Sequence, residues 1–258
     1  MSALLEISGV TKRFGGLCAI SKCDVSVRPG DAHGIIGPNG AGKTTLFNLI
    51  TGIYKPTEGD IRFRGKSISG LRPSRIANIG IGRTFQNIRL CKSLTVLDNV
   101  RIAFDSQLHY SPVEALFRLP RSGRDEQRSI DESLALLAPF GLLGHAHEIA
   151  GDMPYGSQRK LEIARALALK PEVLLLDEPA AGMNTGETAA LTEFLRWVKQ
   201  EFKVTLILIE HHMHLVMNLC DQITVLDFGQ TIASGTPAEI RANPRVIEAY
   251  LGGTEDEQ

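Results

Sequence analysis

Two kinds of apolar pattern divide the chain. Val173 to Leu176, Val204 to Ile209 and Ile223 to Leu226 are nearly continuous apolar runs of strand length. Helical segments separate them, which predicts a largely parallel sheet covered on both faces. Between Leu4 and Phe63 the pattern changes. Val25 and Val27 alternate with polar neighbours, as do Ile61 and Phe63 after Glu58-Gly59, and Pro29-Gly30 marks a turn. That alternation predicts antiparallel strands flanking a buried strand over Ala32 to Ile36.

Helical spacing fills the rest. Leu46, Leu49 and Ile50 fit a helix soon after the Ala32–Ile36 strand. Thr95 with Asp98 reads as a helix start ahead of Val96, Leu97, Val100 and Ile102. Val113, Leu116, Phe117 and Leu119 form a short stripe ended near Pro120, and Arg121 to Arg128 reads as a solvated connection or a frayed helix start. Ile130, Leu134, Leu137 and Ala138 form another stripe, closed by Pro139 and Gly141. From Gln158 onward, Leu161, Ile163, Ala164 and Leu167 mark one helix and Leu191, Phe194, Leu195 and Val198 the next. His212 to Leu219 gives a third, and Thr236, Pro237 and Glu239 supply cap, first-turn proline and capping glutamate for a short terminal one.

The segment joining the Ala32–Ile36 strand to its helix carries chemistry. Gly37-Pro38-Asn39-Gly40-Ala41-Gly42-Lys43-Thr44-Thr45 has Gly at the first and sixth positions, then Lys and Thr. This is the spacing of a loop that cradles nucleotide phosphates. Gly40 and Gly42 let the backbone approach an anion, and the following helix offers it free N–H groups. Lys43 is placed to reach the outer phosphates and Thr44 to reach a magnesium ion. Downstream, Asp177 and Glu178 end a buried strand, where carboxylates reach a cleft without entering the core. Asp177 suits second-sphere binding of magnesium; Glu178 suits orienting the water that attacks a terminal phosphate.

Composition narrows the setting. The 258 residues are 43% apolar, enough for a sizeable core. Twenty-eight basic against twenty-nine acidic residues leave a net charge of −1, which offers no footprint for nucleic acid. No apolar run approaches a membrane span, and Met1 to Gly9 lacks a basic leader before an apolar block. Cys18, Cys23, Cys91 and Cys220 lack close-paired ligand spacing and read as reduced cytosolic thiols. His211, His212 and His214 lack the spacing and companions of a zinc site.

Taken together, these residues resemble the ATPase subunit of ABC transporters over essentially the whole chain. Gln86 in Thr84-Phe85-Gln86-Asn87 matches the family's Q-loop glutamine. Met153-Pro154-Tyr155-Gly156-Ser157 occupies its signature segment, His211 its switch histidine, and Phe14 the place of its adenine-stacking ring. Within the family, Ala180-Ala181-Gly182-Met183-Asn184, Tyr155-Gly156 and the Ile209-Glu210-His211 phrase resemble the branched-chain amino acid uptake group. The long stretch between Gln86 and Met153 favours the larger of that group's two ATPase subunits.

The resemblance implies an α/β P-loop ABC ATPase with a mainly parallel core sheet, an antiparallel β region and an inserted α-helical subdomain. The expected division is 1–94 for the first part of the core, 95–157 for the helical subdomain and 158–258 for the rest. It implies ATP bound with adenine near Phe14, phosphates on 37–45, and Mg²⁺ held by Thr44, Gln86 and Asp177. Lys43, Gln86, Glu178 and His211 would carry catalysis. Tyr155, Gly156 and Ser157 would close over the nucleotide of a second ATPase subunit, a related chain rather than an identical one. The other implied partners are transmembrane permease subunits and an extracytoplasmic substrate-binding protein, with this chain on the cytoplasmic face of a bacterial or archaeal inner membrane. A lipid or polysaccharide exporter ATPase and a non-transport nucleotide-driven module are the alternatives. Three positions depart from the family's usual residues: Pro154 for serine, Asn184 for aspartate and His212 for aspartate.

Overall fold

Strands β1 (Leu5–Phe14), β2 (Leu17–Val27), β4 (Glu58–Phe63) and β5 (Lys66–Ser67) form an antiparallel sheet in the order β2-β1-β4-β5. The alternation read from the sequence is its burial pattern. Val25 and Val27 are buried between exposed Asp24 and Ser26, and Ile61 and Phe63 flank exposed Arg62. Ile7 pairs with Val25 on one side and Ile61 on the other, so one apolar row crosses three strands. These strands make a sheet of their own, the antiparallel β region of the expected fold.

The second sheet is mainly parallel. Among the described residues its order is β10 (Gln230–Gly235), β9 (Gln222–Asp227), β3 (Ala32–Ile36), β8 (Thr205–Ile209), β7 (Val173–Asp177) and β6 (Ile81–Arg83). Every residue of β3, β7 and β8 is buried, which explains their unbroken apolar text. Only β10 runs antiparallel to its neighbour. The computed structural model describes residues 3–105 and 120–251, and the stripe Val113, Leu116, Phe117 and Leu119 lies outside them.

The chain divides into two compact units, Met1–Gln86 with Glu172–Gln258, and Asn87–Pro171. The first holds both sheets and a core in which Phe47, Leu46 and Ile50 of helix α1 (Lys43–Ile50) join Ile35, Leu175 and Ile207. Its other helices are α2 (Pro73–Asn78), α6 (Thr185–Glu201), α7 (Met213–Leu219), α8 (Pro237–Arg241) and α9 (Pro244–Leu251). In the second unit α3 (Val96–Asp105) packs against α4 (Pro120–Leu137) and α5 (Tyr155–Leu167).

Thr95 caps α3 as its sequence predicts, accepting from Asp98 N–H at 3.0 Å and donating to Asp98 Oδ2 at 2.7 Å. The stretch Arg121 to Arg128 is helical throughout, so of the two readings the helix start holds and the connection does not; Pro120 occupies the first turn, where its missing N–H costs nothing. Helix α5 begins at Tyr155, three residues before the predicted Gln158. Among the described residues no helix is long and apolar enough to cross a membrane.

Candidate functional site

The parallel register brings the chemistry to one edge. Strand β8 lies between β3 and β7, with Ile209 paired to Ile35 on one side and to Asp177 on the other. The phosphate loop after β3, Glu178 after β7 and His211 after β8 therefore emerge together at the carboxyl ends of three adjacent strands, where open α/β sheets bind ligands. A cavity of about 220 Å³ is lined by residues 39–45 together with Glu178 and His211.

Glycine is required at both ends of the loop. Gly37 has φ +151°, and a Cβ there would lie 2.0 Å from the Leu226 carbonyl oxygen. Gly42 has φ +97° as the N-cap of α1, and its Cβ would lie 2.7 Å from the Ala19 oxygen. Lys43 Nζ donates to the Gly37 and Pro38 carbonyls at 2.7 and 2.8 Å, folding its ammonium across the loop. Burial lowers the Lys43 pKa from its usual value, and the Glu178 carboxylate works against that shift. The N–H groups of the first turn of α1 have no intrahelical acceptors and give this mouth a positive end.

Glu178 is held from two sides. Gln86 Nε2 donates to its Oε2 at 2.6 Å, and His211 Nε2 lies 2.7 Å from its Oε1. A carboxylate oxygen only accepts, so Nε2 carries the proton in this contact. The Glu178 backbone has φ +45°, a left-handed conformation that costs a side-chain-bearing residue about 1–2 kcal/mol. Lys43, Gln86, Glu178, His211 and the phosphate loop thus form one constellation. Asp177 is buried beside it. Phe14 lies elsewhere in the same unit, at the end of β1, 40% exposed, with its ring edge-on to Tyr54 at 5.0 Å. Tyr155, Gly156 and Ser157 belong to the other unit, in the first turn of α5. Ser157 N–H donates to the Pro154 carbonyl at 2.9 Å.

Two further polar residues organise the site: Arg83, which falls in no motif, and Glu210, which the Ile209-Glu210-His211 phrase contains without assigning it a role. Arg83 Nη2 donates to Asp177 Oδ2 at 2.7 Å, while its Nη1 donates to Asn48 Oδ1 and Thr51 Oγ1 at 2.8 and 3.1 Å. Both side chains of the Arg83–Asp177 pair are under 10% exposed, and the guanidinium lies against the Phe47 and Phe85 rings. Removing one partner of such a pair costs about 3–5 kcal/mol. The second is Glu210, a buried carboxylate between β8 and His211. Each left a faint signal: a lone cation in the short strand Ile81–Arg83, and a lone anion after a continuous apolar run.

The oxygen donors suit a hard divalent cation. Gln86 brings a carboxamide and Asp177 a carboxylate, with Gln86 Nε2 donating to Glu178 and Asp177 Oδ2 accepting from Arg83. Among the described residues, no group of three or more His, Cys, Asp or Glu could hold a metal ion.

A glycine-cradled lysine and helix terminus facing a clamped glutamate define a P-loop nucleotide site. Comparison with known proteins identifies its kind. Residues 20–181 match the ABC transporter family, and residues 230–256 match the branched-chain amino acid ATP-binding cassette transporter family. The chain is 45% identical over 249 residues to the high-affinity branched-chain amino acid transport ATP-binding protein LivG of Salmonella typhimurium, covering 96% of this chain and 98% of that one. It is likewise 45% identical to BraF of Pseudomonas aeruginosa, of the same description, with the same coverage. The crystal structure of the ADP conformation of MJ1267, an ATP-binding cassette of an ABC transporter, superposes with TM-score 0.84 at 32% identity, covering 98% of this chain and 100% of that one. The chain belongs to the ABC transporter ATP-binding family.

Proposed function

We propose that this chain hydrolyses ATP to drive uptake of branched-chain amino acids, as the larger of two related ATPase subunits in one transporter. The observation that carries the catalytic reading is Glu178, held between Gln86 and His211 at the mouth of the phosphate-loop cavity. The cargo reading rests on the relatives named above and on the match over residues 230–256.

In this reading backbone N–H groups of residues 40–45 and Lys43 bind the phosphates, and Phe14 stacks on adenine. Thr44, Gln86 and Asp177 would hold Mg²⁺, which when bound neutralises charge on the β- and γ-phosphates. Glu178 orients and polarises the attacking water. His211 donates to Glu178 and lies within the same cavity lining, so it is placed to report γ-phosphate to the base. Tyr155, Gly156 and Ser157 of a partner ATPase subunit would complete the opposite wall and exclude water. Because Ser157 N–H is committed to Pro154, the Tyr155 and Gly156 N–H groups are the backbone donors for that contact. The chain would sit on the cytoplasmic face of the inner membrane through permease subunits, receiving cargo from an extracytoplasmic binding protein.

The test is purification of the intact membrane complex and its ATPase in liposomes with candidate binding proteins. Leucine, isoleucine or valine should stimulate both ATP turnover and vesicle uptake. Stimulation by an amide, urea or an aromatic acid alone would overturn the cargo. Export of lipid or polysaccharide would overturn the direction.

A further inference from the structure

We infer that Glu210 is a positioning residue that locks the switch histidine and the catalytic glutamate into one rigid unit. Its side chain is 1% exposed and accepts three backbone N–H groups from two separate loops. Oε1 takes Ala180 N–H at 2.7 Å, and Oε2 takes His211 and His212 N–H at 3.0 and 3.2 Å. A buried carboxylate is strongly unfavourable unless its lone pairs are satisfied, and here backbone donors alone satisfy them.

The placement of Ala180 gives this clasp its meaning. Pro179 has no N–H, so the turn carrying Glu178 has donors at 178 and 180 and none between. Glu178 N–H donates to the Ile209 carbonyl at 2.9 Å, and Ala180 N–H donates to Glu210. Both donors of the turn are thus pinned to the two residues that immediately precede His211. The turn closes through Ala181 N–H on the Glu178 carbonyl at 3.1 Å, around a glutamate in the left-handed region. That conformation persists only where its surroundings hold it. Glu210 supplies the hold, and the same carboxylate fixes the backbone of the residue whose ring touches Glu178. Strand register brings His211 near Glu178, and the clasp holds the two backbones from which the 2.7 Å contact of His211 Nε2 with Glu178 Oε1 is made.

The inference rests on the proposed ATPase role of Glu178, and the experiment separates the two. The full-length chain in its assembled complex is compared with Glu210→Gln, Glu178→Gln and the double variant. Glutamine matches the size of Glu210 but offers one accepting oxygen, so it releases Ala180 or the histidine pair. Expected are a 10- to 100-fold fall in kcat for Glu210→Gln, ATP dissociation constant within threefold of wild type, and faster hydrogen exchange at the 180, 211 and 212 amides. In single-turnover assays the double variant should be no slower than Glu178→Gln alone. Wild-type kcat in Glu210→Gln would overturn the inference, as would multiplying effects in the double variant. Should Glu210→Gln fail to fold, Glu210→Asp keeps both oxygens with a shorter reach, and wild-type kcat in that variant would overturn it equally. Unchanged turnover in Glu178→Gln would instead overturn the ATPase reading.

Discussion

His211 Nε2 and Glu178 Oε1 are 2.7 Å apart although the residues are 33 positions apart in the chain. The contact exists because β7 and β8 are parallel neighbours with Asp177 and Ile209 in register. It gives the carboxylate a proton donor on one oxygen while Gln86 engages the other.

Glu178→Gln tests this arrangement most directly. The amide keeps the shape and removes the anionic acceptor that polarises water. ATP affinity should change less than threefold, while turnover in the assembled complex should fall at least about 100-fold, roughly 2.7 kcal/mol in activation free energy. Equilibrium binding with a fluorescent ATP analogue and steady-state phosphate release provide the two readouts. Wild-type phosphate release would remove Glu178 from the reaction.

The local motifs were legible because their chemistry is contiguous. Gly37 to Thr45 is a single segment, and Asp177-Glu178 follows an unbroken apolar strand. The roles of Arg83 and Glu210 were not legible, because Asp177 and Ala180, the partners that tie them to the site, lie 94 and 30 positions away and only strand order brings them near. The same holds for the antiparallel strands: alternation marked their buried faces, but not that they form a separate sheet. In the helical unit, Gly123 and the charges around it left 121–128 open between a connection and a helix start, and the helix that forms buries the small polar residues Ser129 and Ser133. Ser133 satisfies its hydroxyl on the Ser129 carbonyl at 2.7 Å, within the helix that the 130–138 stripe announced.

Pro154 raises a different question, because its family position usually carries serine. Pro154 is the N-cap of α5 with φ −54° and ψ 147°, and no side-chain cap bond closes that end. Pro154→Ser adds a hydroxyl able to accept from the first-turn N–H groups, worth about 1 kcal/mol to the helix. Since backbone donors already face this end, ATP turnover of the complex should change less than about threefold, under 0.7 kcal/mol. An inactive natural complex that the serine variant restores to full rate would show that the hydroxyl is indispensable.

Asn184 replaces the usual aspartate yet has a structural task. Its side chain accepts from Glu187 N–H at 2.9 Å while Glu187 Oε2 accepts from Asn184 N–H at 2.9 Å, a reciprocal capping box at the start of α6. Asn184→Ala should cost about 1 kcal/mol. Calorimetry should show a fall of about 2–4 °C in Tm. Asn184→Asp keeps the acceptor and adds charge at a helix N-terminus, so its Tm should match or exceed wild type. A Tm for Asn184→Ala equal to wild type would mean that the box contributes nothing.

His33 gives the fold a pH dependence of definite sign. It lies near the start of β3, 1% exposed, with Nε2 2.8 Å from Thr224 Oγ1 and Nδ1 without a hydrogen-bond partner. Burial pushes its pKa down from 6.5 to about 4. The folded imidazole is therefore neutral where the unfolded one begins to take up a proton. Its contribution is fully present above pH 6.5, declines as pH falls toward 4, and changes no further below that. The interval is worth about 3 kcal/mol by linkage. His33→Gln removes the titration and retains an amide able to reach Thr224. Urea unfolding from pH 7 to pH 4 should show wild type losing about 3 kcal/mol more than His33→Gln. Parallel stability curves for the two proteins would show that the imidazole is protonated within the fold, against its dry position between β8 and β9.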